Sequence, residues 1–213
     1  ATFCERVRVI RMLQSTEKKI KNRILEHGDG WCFTPMHFVD LGSNASIRKA
    51  LSQLNKQSFI RRLAQGLHDY PIKHDLLGII PTDVNQVAKA IAEKDSILIQ
   101  PAGAHAANLV GFSTQVPGRV IFLTEGASKK IKIGNQEIIF KKTTRKNMLS
   151  AGTREGLIIQ ALKNIGKDHI DKKMHVQIAK LLKDSNAEEI RKNMKFAPAW
   201  IRVLIFEIIG IKP

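Results

Sequence analysis

The sequence predicts an α+β fold, in which an N-terminal winged helix-turn-helix is followed by a mixed α/β C-terminal domain with a helical tail. Three observations predict it. Apolar residues repeat at helical spacing twice before residue 57, a hairpin pattern surrounds Gly66, and strand patterns precede helical ones in the second half of the chain. We expect residues 1–80 to form the first domain and residues 81–213 the second.

Three helical segments open the chain. The first spans Thr16–His27, with Thr16 as its expected cap, and the second is a short helix, 36–41, introduced by Thr34-Pro35. The third follows Ser43-Asn44 and carries four apolar residues at spacings of three and four, namely Ile47, Ala50, Leu51 and Leu54. This repeat predicts a helix that packs one face against its own domain.

A β-hairpin is expected after the third helix. Two short expected strands, 59–63 and 67–71, flank the turn residues Ala64-Gln65-Gly66. The order helix, short helix, helix, hairpin is that of a winged helix-turn-helix. Residues 72–81, which end in a proline and show little periodicity, are interpreted as a linker or crossover to the second domain.

The second domain begins with a helix that Thr82-Asp83 caps and that continues to Glu93. A short strand, 97–99, and a helix of small residues, 103–110, come next. The other expected strands are 120–123, 130–133 and 137–141, and the expected tail helices are 153–165, 171–183, 186–195 and 199–209. Strands first and helices afterwards indicate an α+β domain.

Charge is the most informative property of the composition. The 35 lysines and arginines exceed the 19 acidic residues by 16, and both residues 1–75 (net +6) and residues 76–213 (net +10) share the excess. Such a field favours polyanionic partners. The few aromatic residues argue against a single-strand binder, which needs stacking platforms. The longest apolar stretch, 200–211, is interrupted by charges and too short to span a bilayer.

Nothing in the sequence favours an enzyme, a cofactor or a metal site. Cys4 and Cys32 form no metal-binding or redox motif, so two free thiols in a reducing cytoplasm are expected. Ser113 lacks the glycines of a nucleophile elbow, and Glu188-Glu189 fit a solvated helix surface. Residues 1–14 lack the apolar core of a secretory signal peptide.

The third helix and the hairpin carry the functional hypothesis. A recognition helix needs an apolar inner face and hydrogen-bonding or cationic side chains toward the DNA groove. Arg48 and Gln53 suit the edges of guanine and adenine, whereas Lys49, Ser52 and Lys56 suit phosphates. The expected DNA-binding set is completed by Ser46 on the helix and by Arg61, Arg62 and Gln65 on the hairpin. The structural alternative is a helical subdomain with a solvated charged face.

Two segments together resemble the AbiEi-type antitoxins of bacterial type IV toxin–antitoxin systems. One joins the third helix to the hairpin, from Ile47 to Pro71. The other runs from Gln100-Pro101-Ala102-Gly103 through Ser113-Thr114-Gln115-Val116-Pro117 to Leu123-Thr124-Glu125-Gly126, and Gln160-Ala161-Leu162 with Ile165-Gly166 fits as well. The resemblance covers about residues 15 to 166, and the last 45 or so residues match nothing in the family.

The resemblance implies a protein with two tasks. Its N-terminal domain would bind the double-stranded operator DNA of its own operon and repress transcription of that operon. A homo-oligomer on the DNA is compatible with this role. Its C-terminal domain would counter a nucleotidyltransferase-like toxin. Two rivals stay open: a transcription factor whose second domain binds a ligand or dimerises, and an enzyme acting on nucleic acid.

Overall fold

A computed structural model describes residues 15–211 and divides the chain into two compact units, residues 1–95 and 96–213. Helices and sheets mix in the chain as a whole, so the α+β class is confirmed. The expectations for residues 1–14, including the thiol of Cys4, lie outside the described residues. Among residues 15–211, no helix combines the length and the apolarity that crossing a bilayer requires.

The first unit contains three α-helices, one 3₁₀ helix and five short strands within its described part. In chain order these are α1 (Thr16–His27), β1 (Cys32–Phe33), the 3₁₀ helix Pro35–Phe38, α2 (Asn44–Lys56), β2 (Arg61–Ala64), β3 (Leu67–Asp69), β4 (Lys73–His74), β5 (Gly78–Ile79) and α3 (Val84–Asp95).

Local sequence signals explain where these helices begin. Ser15, rather than the expected Thr16, caps α1, and its hydroxyl accepts a hydrogen bond from the amide of Lys18. The expected second helix is only the 3₁₀ turn Pro35–Phe38, with Thr34 before it and Pro35 in its first position. Ser43 caps α2 as predicted.

The core of the first unit lies between α1, α2 and one face of the sheet. It contains both inward isoleucines of α1 and the whole predicted stripe of α2. Its fully or almost fully buried members are Ile20, Ile24, Phe33, Phe38, Ile47, Ala50, Leu51, Leu54 and Ile60. The third helix therefore packs its apolar face against its own domain, as the sequence predicts.

Helix α3 covers the other face of the same sheet. Strands β1, β3 and β2 pair antiparallel in that order, and successive residues of a strand point to opposite faces. Phe33 belongs to the core beside α1 and α2, whereas the neighbouring Cys32 lines a cavity with Ala90 of α3. The two compact units divide after Asp95, since α3, which the sequence analysis assigned to the second domain, packs on the first unit.

The segment expected to be a linker holds a small β-hairpin. Strands β4 and β5 pair antiparallel, Lys73 opposite Ile79 and His74 opposite Gly78. The ring Nδ1 of His74 accepts hydrogen bonds from the amides of Leu76 and Leu77, which shape the tip. The side chains at this tip are open to solvent, and Leu76 is 90% exposed.

The second unit combines a four-stranded sheet with a helical tail. Its elements are β6 (Ile99–Ala102), α4 (Gly103–Leu109), β7 (Arg119–Thr124), β8 (Lys129–Ile133), β9 (Gln136–Lys142), α5 (Arg145–Met148), α6 (Arg154–Ile165), the 3₁₀ helix Lys167–His169, α7 (Lys172–Leu182), α8 (Ala187–Met194) and α9 (Ala199–Ile209). Each predicted strand and helix of this half is present, with ends shifted by up to three residues.

The sheet of the second unit has the order β6-β7-β9-β8. The central pair, β7 and β9, is parallel, and the outer strands pair antiparallel. Helices α4 and α6 pack together, and the main apolar core joins them to the tail helices through residues such as Ile158, Ile178 and Ile205. Strand β8 is left at the edge of the sheet.

Candidate nucleic-acid interface

The two faces of α2 have opposite character. Ile47, Ala50, Leu51 and Leu54 are at most 2% exposed. The exposed residues Arg48, Lys49, Ser52, Gln53 and Lys56 occupy an arc of about 140° on the other side, since each residue turns a helix by about 100°. The structure therefore brings five of the predicted site residues onto one surface.

The cations of this surface are not used by the fold. Among residues 15–211, Arg48, Lys49 and Lys56 have no ion-pair or hydrogen-bond partner. These three long cationic side chains are therefore available to an external ligand. Binding would restrict their rotamers, which costs conformational entropy.

Ser46 serves the start of the helix instead. Its backbone amide donates to the Ser43 hydroxyl at 3.3 Å, and its own hydroxyl donates to the Ser43 carbonyl oxygen at 2.8 Å. The side chain is half-buried. These contacts make Ser46 part of the N-terminal cap of α2.

Arg61 is tied to the interior of the first unit. Its guanidinium donates to both carboxylate oxygens of Asp69, at 3.1 and 2.6 Å, and to the Thr82 hydroxyl at 2.7 Å. The Asp69 side chain is 1% exposed. Burying a carboxylate requires such partners, so the contacts that Arg61 makes in the structure stabilise the fold.

Arg62 and Gln65 remain exposed on the β2–β3 hairpin. A two-residue turn, Gln65-Gly66, joins the strands, and Gly66 has a φ of +68° that glycine adopts without strain. The Arg62 Nε donates only to the Ala64 carbonyl oxygen, at 3.4 Å. The hairpin thus presents one available cation and one amide near its tip.

Two polar residues of the same surface were missed by the sequence analysis. Asn44 and Asn55 are exposed, Asn44 in the first turn of α2 and Asn55 beside Arg48 and Ser52 on its outer face. Asparagine amides read adenine edges as glutamines do. The signal that could have identified them is that both lie outside the apolar stripe of the helix.

A cavity of about 440 Å³ lies elsewhere in the first unit, beside Trp31. Trp31 stacks on His27 at 3.8 Å between ring centroids, and the Nε2 of His37 lies 2.9 Å from a carboxylate oxygen of Glu93. Burial raises the pKa of the Cys32 thiol to about 12, so this thiol is protonated at neutral pH and is a poor nucleophile. Among residues 15–211, no group of three potential ligands could hold a metal ion.

The fold and this surface define an α+β protein whose first unit presents a cationic helix to the solvent. The chain belongs to DUF6088, a family of unknown function, whose model matches residues 19–190, from α1 into α8. No curated protein matches the sequence. A solved structure, that of the RV2827C protein from Mycobacterium tuberculosis, aligns with 84% of this chain and 71% of its own at 13% identity, with a TM-score of 0.43.

Proposed function

We propose that the first unit is a winged helix-turn-helix that binds duplex DNA, with α2 as the recognition helix. The single observation that carries this proposal is the division of α2 into a buried apolar face and an exposed face with three unpaired cations and three uncharged hydrogen-bonding side chains. A helix of this composition fits the major groove, where amide and guanidinium groups read base edges.

The order of the elements supports the same proposal. Helix, 3₁₀ turn, helix and antiparallel hairpin follow one another as in winged helices, and β1 completes a three-stranded sheet with the hairpin. The wing is the β2–β3 turn, where Arg62 can reach the DNA backbone or the minor groove. Arg61 is left out of the contact set because Asp69 and Thr82 hold its guanidinium.

The salt dependence of binding tests the proposal directly. Three phosphates contacted by Lys49, Lys56 and Arg62 contribute about −3 to the slope of log affinity against log salt. The full chain is titrated against a random duplex of about 25 base pairs, long enough for two turns of the helix. A selected duplex from a randomised library then serves as the specific ligand. A slope near zero on both duplexes, or a failure to enrich any sequence, contradicts the proposal.

The regulatory role is the next level of the proposal. A chain that selects an operator upstream of its own gene acts as an autorepressor, and a reporter fused to that promoter measures it. The antitoxin role implied by the resemblance to AbiEi-type proteins is a separate claim. Co-expression with a neighbouring nucleotidyltransferase-like gene tests it, and growth that is not rescued argues against it while leaving DNA binding untouched.

A further inference from the structure

The second unit carries a strongly basic sheet face of its own. Residues 129–146 contain seven lysines and arginines and a single acidic residue, Glu137. This segment forms β8, β9 and the start of α5, at the open edge of the four-stranded sheet. Neither the recognition helix nor the hairpin of the first unit accounts for this charge.

Strand alternation separates the two faces of this sheet. Directly paired residues share a face, and Val120 pairs with Ile138 while Phe122 pairs with Phe140, all four buried. On β6 the opposite face carries Gln100 and Ala102, which are buried, so it is covered there. The uncovered, outward part carries Arg119, Ile121 and Leu123 on β7, Glu137, Ile139 and Lys141 on β9, and Lys130 and Lys132 on β8. We call this set the outward sheet face.

Three of the eight residues of the outward sheet face are lysines. Lys130, Lys132 and Lys141 are exposed, and within residues 15–211 they have no ion-pair partner. The one carboxylate, that of Glu137, lies 3.2 Å from the Nε of Arg119 and is thereby neutralised. Lys129 belongs to the other face, where its Nζ lies 5.0 Å from the centre of the Phe140 ring.

The side-chain types indicate which polyanion fits. No aromatic residue stands on the outward sheet face, because both phenylalanines of β7 and β9 point inward. Single-stranded nucleic acids are held by bases stacked on aromatic rings, which this face lacks. A duplex hides its bases and presents phosphates, for which flexible ammonium groups on an aliphatic surface are sufficient.

We propose that the outward sheet face binds the phosphate backbone of duplex DNA as a second, sequence-independent contact surface, with Lys130, Lys132 and Lys141 as its principal contacts. The inference adds a site to the proposed function and rests on it for the choice of duplex DNA. Each lysine contributes affinity for any sequence and increases the salt dependence, without contributing base readout.

Three double variants of the full chain test the inference. Lys130→Gln with Lys132→Gln changes the sheet face, Lys49→Gln with Lys56→Gln changes α2, and Lys172→Gln with Lys173→Gln, two exposed lysines of α7, is a control with the same loss of charge. Affinity for a random duplex is measured between 50 and 200 mM salt, and circular dichroism establishes that each variant is folded. Lys141→Gln alone provides an independent second measurement on the sheet face.

The sheet-face double variant is expected to make the log–log slope less steep by about two, and Lys141→Gln by about one, relative to the α7 control. A slope equal to that of the control in both sheet-face variants overturns the inference. The α2 variant keeps the two claims apart. If only the α2 variant changes the slope, the sheet-face site is wrong and the proposed function stands. If only the sheet-face variants change it, α2 is not the recognition helix.

Discussion

Arg61 and Asp69 face each other across β2 and β3, and the guanidinium holds the buried carboxylate with two hydrogen bonds. Thr82, just before α3, donates a third hydrogen bond to the same carboxylate at 2.7 Å. One small network thus links the hairpin to the segment that leads into α3. Its disruption leaves a buried charge without its main partner.

Arg61→Ala should therefore destabilise the first unit by about 3 kcal/mol, since removing one partner of a buried pair costs more than the pair contributes. Arg62→Ala, one residue later and exposed, should change stability by less than about 0.5 kcal/mol and make the DNA salt slope less steep by about one. Urea unfolding, followed by Trp31 fluorescence in a Trp200→Phe background, measures both. Equal stability of the two variants would show that the Asp69 contact is unimportant.

Arg48→Ala and Lys56→Ala should separate base readout from backbone contact. Arg48 lies in the first turns of α2, where recognition helices approach base edges. Lys56 is the last residue of the same helix. Loss of Arg48 should cost about 1–3 kcal/mol on the selected duplex and much less on a scrambled one. Loss of Lys56 should weaken both alike. Equal losses of Arg48→Ala on the two duplexes would exclude the readout role.

A fragment of residues 1–95 should unfold cooperatively, whereas residues 1–80 should be much less stable. The shorter fragment lacks α3, which contributes six buried residues, namely Val84, Val87, Ala88, Ala90, Ile91 and Ala92. Each Val or Ile buried contributes roughly 1.5–3 kcal/mol. Thermal unfolding by circular dichroism compares the fragments. A sharp transition at the same temperature in both would mean that α3 does not belong to the fold of the first unit.

The first unit should lose stability as the pH falls below about 6.5, the ordinary pKa of histidine. Burial, reinforced by Arg62, lowers the pKa of His68, whose Nδ1 has no hydrogen-bond partner among residues 15–211. The unfolded chain binds this proton more readily, so stability is complete above pH 6.5 and declines by up to about 1.4 kcal/mol per unit below it. The decline ends once the pH is below the lowered pKa of the folded state.

His68→Phe, which keeps the stacking on Phe33, should reduce this decline. Urea unfolding at pH 7.5 and pH 5.5 compares it with the parent chain, both in the Trp200→Phe background. An identical loss of stability in the two proteins would assign the pH dependence to other histidines.

The parts that the sequence predicts well are those with a strong periodic pattern. The apolar stripe of α2 identified its buried side chains and its exposed face together, because 3.6-residue periodicity determines both. The role of Arg61 was not predictable in the same way. An arginine on a strand gives the same sequence pattern whether its partner is a phosphate or a buried carboxylate. Its one signal was symmetry: Arg61 and Asp69 stand four residues on either side of Gln65.

The packing of α3 on the first unit was also not predictable, for a physical reason. Strand β1 has only two residues, Cys32 and Phe33, which is too short for a recognisable alternation of apolar and polar residues. The sequence therefore gives no sign that both faces of this strand are covered. The hairpin of residues 73–79 was interpreted as a linker or crossover because its sequence has little periodicity. Its leucines lie at a solvent-exposed tip, where no core pattern constrains them.

The clean division of α2 also bears on how this family can diversify. Arg48, Lys49, Ser52, Gln53 and Lys56 support none of the buried packing, which depends on four other positions of the same helix. Mutations on the outer face therefore change the stability of the fold little. Mutations on the inner face destabilise it whatever the ligand. Relatives can drift to new binding preferences one substitution at a time, without passing through unstable intermediates.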